Sequence, residues 1–386
     1  MTDAVAGHGA QRAALRPARI LLFIHSLHGG GAERVAADLS ARWAGQGREV
    51  TVVTQAGPRD DAYALDPAVR RVVLDTAGAS GGGWRGAWAN LRRVRALRRE
   101  LVRARPDIVL GMMTTASVLA VFAARGLPCR VIATEHTHPP SQQLGRMWEG
   151  LRRLAYPRAA RVVALTTDTA RWIEIHVPGS RLAVIPNAVH WPLAAGEPVV
   201  APPPAGRRML LAVGRLHPDK GFDLLLEAFG RIAPAHPEWD LTVLGEGGER
   251  ARLESAVERA GLAGRVALPG RVGNVGDWYA RADLYVLSSR VEGLSNTLLE
   301  SMASGLAPVA FDCETGPREI VRQDVDGMLV RPSGDPAALA AELDALMRDD
   351  ARRRRLGEAA TAVRERFSME RILARWQNVF DQALDS

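Results

Sequence analysis

The sequence has almost no lysine: of its 50 basic residues, Lys220 is the single one that is not arginine. It also has two cysteines, Cys129 and Cys313, which are far apart and have no CxxC partner or histidine-rich neighbour. This scarcity argues against a disulfide framework and against a structural zinc site, and it suits a reducing compartment. A lone lysine in a chain built on arginine makes position 220 worth examining.

Long hydrophobic runs are missing as well. No segment approaches the ~20 consecutive apolar residues of a membrane-spanning helix. The run "ILLFIH" (20–25) is too short for a signal-peptide core, and residues 1–19, small and polar with a few arginines, are predicted to be a disordered leader. We therefore expect a cytoplasmic protein, at most peripheral on the inner face of the cell membrane.

The charge is distributed unevenly. Residues 1–191 contain 26 arginines against 14 acidic residues, whereas the remainder has 24 basic against 29 acidic residues. The excess positive charge of the N-terminal half would attract an anionic partner, whereas the C-terminal half has no such excess. Trp84, Trp88 and many arginines lie on or beside a predicted helix (87–104) whose core face is marked by Leu91, Val94, Leu97 and Leu101.

A basic amphipathic helix with tryptophan favours an anionic membrane surface or a phosphate-bearing acceptor as partner. A solvated charged face is the competing interpretation for any one helix. Nucleic acid is not expected, because no nucleic-acid-binding module is recognisable.

At 386 residues the chain is too long for one ordinary core, so two domains are expected. Apolar, β-rich runs alternate with helical patterns in both halves, which predicts an α/β fold with two doubly wound domains facing each other across a cleft. The predicted organisation is an N-terminal domain over 20–191, a Pro- and Ala-rich linker over 192–208, a C-terminal domain over 209–366 and a final helical segment over 367–386.

The predicted strands are buried, parallel-type runs. They cover 18–24, 48–55, 107–112, 129–136, 161–166, 207–216, 240–247, 265–270, 282–289 and 307–311. In such sheets ligands bind beyond the carboxyl ends of strands, so the polar residues that follow these runs are the candidates for function.

The first strand runs into "HSLHGGGAERV" (25–35), a glycine-rich turn that opens a helix. Backbone N–H groups at Gly30 and Gly31 would suit a phosphate or sugar oxygen. The pattern is not GxGxxG, and no acidic residue ends the second strand, so NAD binding is disfavoured. A tight turn that uses glycine for its backbone freedom explains this loop equally well.

Two cations follow the first strand of the second half, in "AVGRLHPDKGFDLLLEAF" (212–229). Arg215 offers a planar fork and Lys220 a compact charge with three donors, so together they would clamp a diphosphate beside a helix N-terminus. Two solvated loop charges are the alternative, and the position of the only lysine weighs against it.

The segment "VEGLSNTLLESMASG" (291–305) places Glu292 in a turn at a strand end and Glu300 about one turn inside a helix capped by Ser295 or Asn296. A carboxylate accepts two hydroxyl hydrogen bonds, so Glu300 suits a ribose diol. Glu292 would then face whatever the phosphates carry. A simple complement to the helix dipole is the competing role for Glu300.

Other polar residues give weaker patterns. His136 and His138 in "ATEHTHPP" follow a strand, and Asn187 in "VIPNAV" precedes the linker, where a turn role is expected. No metal-ligand spacing and no Ser-His-Asp or Cys-His set is legible.

Taken together, "GGGAERV", "ATEHTHP", "VIPNAV", "VGRLHPDKGFDLLLEAF" and "SSRVEGLSNTLLESMASGLAPVAFDCETGPREIV" resemble the retaining glycosyltransferases of family 4, which have the GT-B fold. The resemblance runs from about residue 20 to the C-terminus. The E-x7-E pair with the G-R…K-G loop carries it. In GT-B proteins the final helix returns to pack on the first domain. Many relatives have Phe-Gly or Phe-Pro after the first glutamate, whereas this chain has Gly-Leu-Ser-Asn.

The resemblance implies roles for individual residues around the donor diphosphate and sugar. Gly30 and Gly31 would approach both, and His136 would contact the sugar near the reaction centre. Arg215, which follows Gly214, would neutralise the diphosphate with Lys220.

The remaining implied roles concern the E-x7-E segment and the base. Glu292 would bind sugar hydroxyls, and Glu300 would bind the ribose. The backbone of Gly293, Leu294, Ser295, Asn296 and Thr297 would meet the phosphate and its surroundings. The loop 268–272, with Arg271, would line the base. The family needs no bound metal and no cofactor beyond the nucleotide-sugar, so we expect none here.

The function expected from these residues is transfer of a sugar, with retention, from a nucleoside-diphosphate sugar to an acceptor hydroxyl. A UDP-sugar is favoured over a GDP-sugar, and a hexosyl or N-acetylhexosaminyl group is expected. The "TGPREI" segment (315–320) resembles members that build lipid-linked or cell-surface glycans. A soluble small-molecule or antibiotic acceptor is the alternative. Two alternatives are less favoured: a nucleotide-sugar epimerase of the same architecture and an exported ligand-binding protein.

Overall fold

A computed structural model describes residues 17–78, 84–142 and 144–386 of the chain. The predicted leader over 1–19 lies almost wholly outside the described residues. The strands are β1 Arg19–Ile24, β2 Glu49–Thr54, β3 Arg70–Val73, β4 Ile108–Met112, β5 Arg130–Glu135, β6 Arg161–Ala164, β7 Leu182–Val184, β8 Arg208–Val213, β9 Trp239–Leu244, β10 Val266–Gly270, β11 Leu284–Leu287, β12 Pro308–Phe311 and β13 Met328–Val330.

Helices separate most of these strands. They are α1 Gly31–Gly45, α2 Trp84–Ala104, α3 Thr114–Ala123, α4 Arg146–Ala155, α5 Thr167–His176, α6 Phe222–Ile232, α7 Arg250–Arg259, α8 Val275–Arg281, α9 Asn296–Ala303, α10 Pro317–Ile320, α11 Pro336–Arg348, α12 Asp350–Ala360, α13 Val363–Arg366 and α14 Met369–Leu384. Each of the ten predicted strands is present, with ends that shift by a few residues.

The strands form two sheets. The first has the order β3-β2-β1-β4-β5-β6-β7, and the second has the order β10-β9-β8-β11-β12-β13. The pairs on either side of β1 and of β8 are parallel. In each sheet the strand order reverses beside the first strand, between β1 and β4 and between β8 and β11. This confirms the predicted α/β class with two doubly wound sheets.

Contacts between Cα atoms divide the chain into two compact units. One unit contains Met1–Thr134, Gly150–Val162 and Gln377–Ser386, and the other contains Glu135–Glu149 and Val163–Trp376. The predicted linker over 192–208 lies inside the second unit, and its role as a domain boundary stays a prediction.

In the first unit the central strand β1 is buried along almost its whole length, with Leu21, Leu22 and Phe23 fully inaccessible. Helices cover both faces of such a sheet, so its strands are continuous apolar runs and not alternating ones. The end of α14 belongs to this unit, where the ring of Phe380 lies 5.2 Å from the ring of Trp43.

The predicted core face of α2 is correct only in part. Leu97 and Leu101 are buried and Val94 is half-buried, but Leu91 is 41% exposed. Arg93 takes the buried place instead, and its guanidinium donates to the carbonyl oxygens of Thr76 and Gly78. A buried guanidinium is tolerated because these acceptors satisfy it. The helix face is therefore rotated relative to the prediction.

In the second unit α6 packs on the sheet through its buried residues Phe222, Leu225, Leu226 and Phe229. They join a cluster with the apolar residues of β8, β9 and β11. This packing fixes the loop between β8 and α6, where two predicted site residues lie. Throughout the described residues, no helix is both long and apolar enough to span a membrane.

Candidate active site

The candidate site lies where the second sheet reverses its strand order, at the carboxyl ends of β8 and β11. Gly214, Arg215 and Lys220 follow β8, and the segment from Ser288 to Thr297 follows β11. Because β8 and β11 are neighbours in the sheet, their carboxyl ends open onto one crevice.

Lys220 ends a short 3-10 helix, Pro218–Lys220, and Gly221 then turns the chain into α6. Gly221 has a φ of 60°, and a Cβ atom at this position would lie 2.1 Å from the carbonyl oxygen of Ser288. The turn therefore requires glycine. The aliphatic stem of Lys220 passes close to Gly214, where an added Cβ would be 3.5 Å from it.

Glu292 is buried, with 7% of its surface exposed, and accepts two short hydrogen bonds. The Nζ atom of Lys220 lies 2.6 Å from its Oε1 atom, and the hydroxyl of Ser289 lies 2.6 Å from the same oxygen. A buried carboxylate is stable only when it is paired and hydrogen-bonded, and both conditions hold here. The structure thus brings together the two charges at the centre of the prediction.

Gly293 lets this turn approach the segment after β5. A Cβ atom on Gly293 would lie 2.3 Å from the carbonyl oxygen of His136, which is within van der Waals overlap. Burial lowers the pKa of His136 to about 4, and its Nδ1 atom is inaccessible to solvent. The imidazole is therefore neutral near pH 7, and its predicted contact with a sugar stays a prediction.

Helix α9 begins at Asn296, and its cap is Ser295, one of the two predicted caps. The Ser295 hydroxyl accepts a hydrogen bond from the backbone N–H of Leu298 at 3.4 Å. Leu294 and Ser295 are buried, while Asn296 and Thr297 are half-buried. The helix begins four residues after Glu292, and the N–H groups at a helix start favour an anion.

Glu300 lies one turn inside α9 with 4% of its surface exposed. The hydroxyl of Tyr279 lies 3.4 Å from its Oε2 atom. A second buried phenol, Tyr285, lies close by and donates to the Thr297 hydroxyl at 2.8 Å. Glu300 is therefore not an exposed charge that merely complements the helix dipole.

Two predicted cations lie at the surface. Arg215 is exposed and makes no hydrogen bond or ion pair with the part of the chain that the structure describes. Arg271 is also exposed and follows β10 at an edge of the sheet. An exposed arginine side chain is free to contact a ligand, but its exposure does not show such a contact. The predicted roles of both arginines therefore stay predictions.

Gly30 and Gly31 belong to the first unit. Gly30 is the residue before α1, and a Cβ atom there would lie 2.4 Å from the Oε2 atom of Glu33. Gly29 has a φ of 124°, so the turn uses the backbone freedom of glycine. The predicted contact of Gly30 and Gly31 with a donor stays a prediction.

The structure gives roles to residues that were weak candidates. The buried Nδ1 atom of His138 lies 3.1 Å from the Thr169 hydroxyl, in a buried chain that continues to Thr166 and Thr315. Asn187, expected in a turn, donates from its amide to the Oδ1 atom of Asn296 at 2.9 Å. It therefore supports the start of α9.

Comparison with known families agrees with this geometry. The model for Glycosyltransferase Family 4 matches residues 29–190, and the model for Glycosyl transferases group 1 matches residues 197–363. The chain belongs to the family 4 glycosyltransferases. The two matches meet at 190–197, beside the predicted linker.

Two relatives of the glycosyltransferase differ in how much of their length it covers. It is 35% identical to an exopolysaccharide phosphotransferase of Streptomyces coelicolor, over 70% of this chain and 28% of that protein. The chain thus spans only about a quarter of that relative. It is 26% identical, over 93% of this chain and 97% of the other, to an α-1,4-N-acetyl-D-galactosaminyltransferase of Campylobacter jejuni whose name includes a glycan on PP-undecaprenol.

Among solved structures, HepE of Anabaena in complex with UDP matches the glycosyltransferase with a TM-score of 0.77. The match covers 94% of this chain and 99% of that chain at 20% identity. At this identity the likeness shows the fold, which is the predicted GT-B fold.

Two residues of the candidate site were not predicted, Ser289 and Tyr279. Ser289 follows a buried strand, three positions before Glu292, so its place at a strand end was a usable signal. Tyr279 lies on α8, and nothing in the sequence connects it with Glu300.

Proposed function

We propose that the glycosyltransferase moves a hexosyl or N-acetylhexosaminyl group, with retention, from a nucleoside-diphosphate sugar to an acceptor hydroxyl. The donor is a UDP-sugar in preference to a GDP-sugar, and the acceptor belongs to a lipid-linked or cell-surface polysaccharide. One observation carries the proposal: the ion pair between half-buried Lys220 and buried Glu292 at the carboxyl ends of β8 and β11, beside the start of α9.

The proposed roles follow the chemistry of these groups. Lys220 and Arg215 meet the charge that develops on the leaving diphosphate, helped by the first N–H groups of α9. Glu292 accepts from sugar hydroxyls, and Glu300 accepts from the ribose diol. Neutral His136 offers a hydrogen bond near the sugar. Arg271 lies beside the base. These cations supply the charge that a metal would otherwise supply, so the proposal includes no metal.

The proposed reaction is a substitution on one face of the sugar. The bond between the anomeric carbon and the diphosphate oxygen breaks, and the acceptor oxygen bonds to the same face of that carbon. The acceptor proton passes to an oxygen of the leaving diphosphate, so neither glutamate has to act as a base. The oxocarbenium-like transition state is stabilised because Lys220 and Arg215 match the negative charge that develops on the departing diphosphate.

A thermal-shift panel tests donor binding. We expect UDP and UDP-sugars to raise the melting temperature more than GDP, because the proposed donor is a UDP-sugar. A ligand at about 100 times its Kd stabilises a protein by about 2.7 kcal/mol, so tight binding gives a measurable shift. The Lys220→Ala variant should lose most of this shift and most donor turnover. Arg231→Ala, on the solvent side of α6, is the matched control and should behave as wild type.

Two outcomes contradict the proposal: no nucleotide shifts the wild-type protein, or Lys220→Ala keeps wild-type turnover. Incubation with a UDP-sugar alone separates the epimerase alternative. An epimerase would release an altered sugar without an acceptor, whereas a transferase would not.

We propose an anionic membrane surface as a further partner, through α2. The outward face of this helix carries Trp88, which is 61% exposed, and Arg92, Arg95 and Arg99. These residues line a groove of about 590 Å³ together with Leu74 and Thr76. Each arginine near an anionic leaflet is worth about 1 kcal/mol, and an indole ring suits the headgroup level. The name of the Campylobacter relative, with its PP-undecaprenol-linked glycan, supports this choice.

Vesicle flotation tests the membrane proposal. The wild-type protein should float with phosphatidylglycerol vesicles and stay behind with phosphatidylcholine vesicles. Replacing Arg92, Arg95 and Arg99 by serine should abolish flotation. The same change at the exposed residues Arg259, Arg354 and Arg375 is the control for total charge. Equal loss in both triple variants, or no flotation of the wild type, would refute the α2 surface and favour a soluble acceptor.

A further inference from the structure

The strongest unassigned feature is the pair of buried phenols beneath Glu300. Tyr279 and Tyr285 expose at most 1% of their surface, and their rings meet edge to face with centroids 6.1 Å apart. The Tyr279 hydroxyl lies 3.4 Å from the Oε2 atom of Glu300 and 3.3 Å from the carbonyl oxygen of Thr297. The Tyr285 hydroxyl reaches the hydroxyl of Thr297 instead.

A phenol has one proton and so donates one hydrogen bond at a time. The Thr297 carbonyl lies in the first turn of α9, where it is also an acceptor for a hydrogen bond within the helix. The Glu300 carboxyl group is buried and offers two oxygen acceptors, one of which, Oε2, lies 3.4 Å from the phenol oxygen. Glu300 is therefore within reach of the Tyr279 proton.

The position of this bond has a consequence for Glu300. A glutamate side chain has several rotatable bonds, and its freedom has to be lost when it binds a diol. A donor that holds one carboxylate oxygen restricts these rotations in advance, so less is lost on binding. Tyr279 can do this because its ring is buried and packs against the ring of Tyr285 on β11.

We propose that Tyr279 is the positioning residue for Glu300 and so sets the preference of the site for nucleotides with a ribose diol. This rests on the proposed binding of a nucleoside diphosphate. Tyr279 touches neither sugar nor phosphate in this role and acts only through the carboxylate. Tyr285 has the same chemistry and burial but bonds a hydroxyl, so it provides an internal control.

The test compares binding of UDP with binding of 2′,3′-dideoxy-UDP by calorimetry, and GDP with its dideoxy analogue in parallel. The wild type should bind the ribose form more tightly. Tyr279→Phe should weaken UDP binding about five-fold while affinity for dideoxy-UDP stays within about two-fold, because only the diol uses Glu300. Tyr285→Phe should change neither.

A double-mutant cycle separates coupling between Tyr279 and Glu300 from non-specific destabilisation of the fold. In a Glu300→Gln background, adding Tyr279→Phe should change UDP affinity less than about two-fold if the two residues act as one unit. The melting temperature of each variant without ligand checks the fold. Phenylalanine keeps the ring and its packing.

The outcomes separate this inference from the proposed function. Equal weakening of UDP and dideoxy-UDP in Tyr279→Phe would make the residue merely structural and overturn the inference. The same holds if Tyr279→Phe keeps full discrimination, or if the wild type shows none. In these cases donor binding stands. No binding of any nucleotide to the wild type would overturn both.

Discussion

Glu292 and Glu300 are both buried and lie on the same segment, yet different kinds of group hold them. Glu292 lies in a turn and is fixed by a charge and a hydroxyl, each 2.6 Å from Oε1. Glu300 lies on a helix and has a phenol at 3.4 Å. The helix fixes the backbone of Glu300, whereas Glu292 lies in a turn outside any helix or strand. Glu292 should therefore be the more sensitive of the two to changes around it.

The largest effect is expected from Gly293→Ala. The new methyl group would lie 2.3 Å from the His136 carbonyl oxygen, so the turn or the segment after β5 has to move. Overpacking of this kind costs about 1–3 kcal/mol in the free energy of unfolding, and it displaces Glu292 as well. A thermal melt and UDP-sugar binding measure the two effects.

The matched control for this change is Gly248→Ala, because a Cβ atom at Gly248 would meet nothing within 4 Å. If Gly293→Ala melts at the same temperature as this control and binds donor normally, the close approach does not constrain the turn of Glu292. The predicted difference between the two glutamates would then lose its basis.

A smaller effect is expected from Ser289→Ala. Loss of one hydrogen bond to Glu292 leaves the Lys220 pair in place, so binding of a UDP-sugar should weaken about three-fold. UDP itself should bind as in the wild type, since Glu292 is proposed to serve the sugar and Glu300 the ribose. Calorimetry with both ligands measures the split.

Ser301→Ala is the control for Ser289, because Ser301 is also buried but donates to the carbonyl oxygen of Leu298 in its own helix. If Ser289→Ala weakens UDP and UDP-sugar equally, the division of labour between the two carboxylates is wrong. If both serine variants behave alike, the Ser289 hydroxyl has no special role.

Much of the fold followed from the sequence because the buried strands are long apolar runs. The strands that were not predicted are β3, β7 and β13, which have three or four residues each. Such short segments, lying at or near the edges of the sheets, present no periodic pattern. Leu91 was assigned to the wrong face of α2 because a sequence pattern does not show that a buried arginine can be satisfied by loop carbonyls.

The charged residues at the centre of the candidate site were also predictable. Lys220 stood out by its rarity, and Glu292 and Glu300 by their spacing around a helix start. Their partners were less accessible, because Tyr279 is brought to Glu300 only by the packing of α8 against the second sheet. The neutral state of His136 was not predictable either, since it depends on the burial of the ring.

The ion pair between Lys220 and Glu292 has a practical consequence for chemical labelling. The chain has a single lysine, so an amine-selective reagent has one side-chain target, and that target lies within the candidate site. The ammonium has to leave Glu292 and lose a proton before it can be acylated. The rate of modification at this one position therefore reports how often the pair opens, without any engineered label.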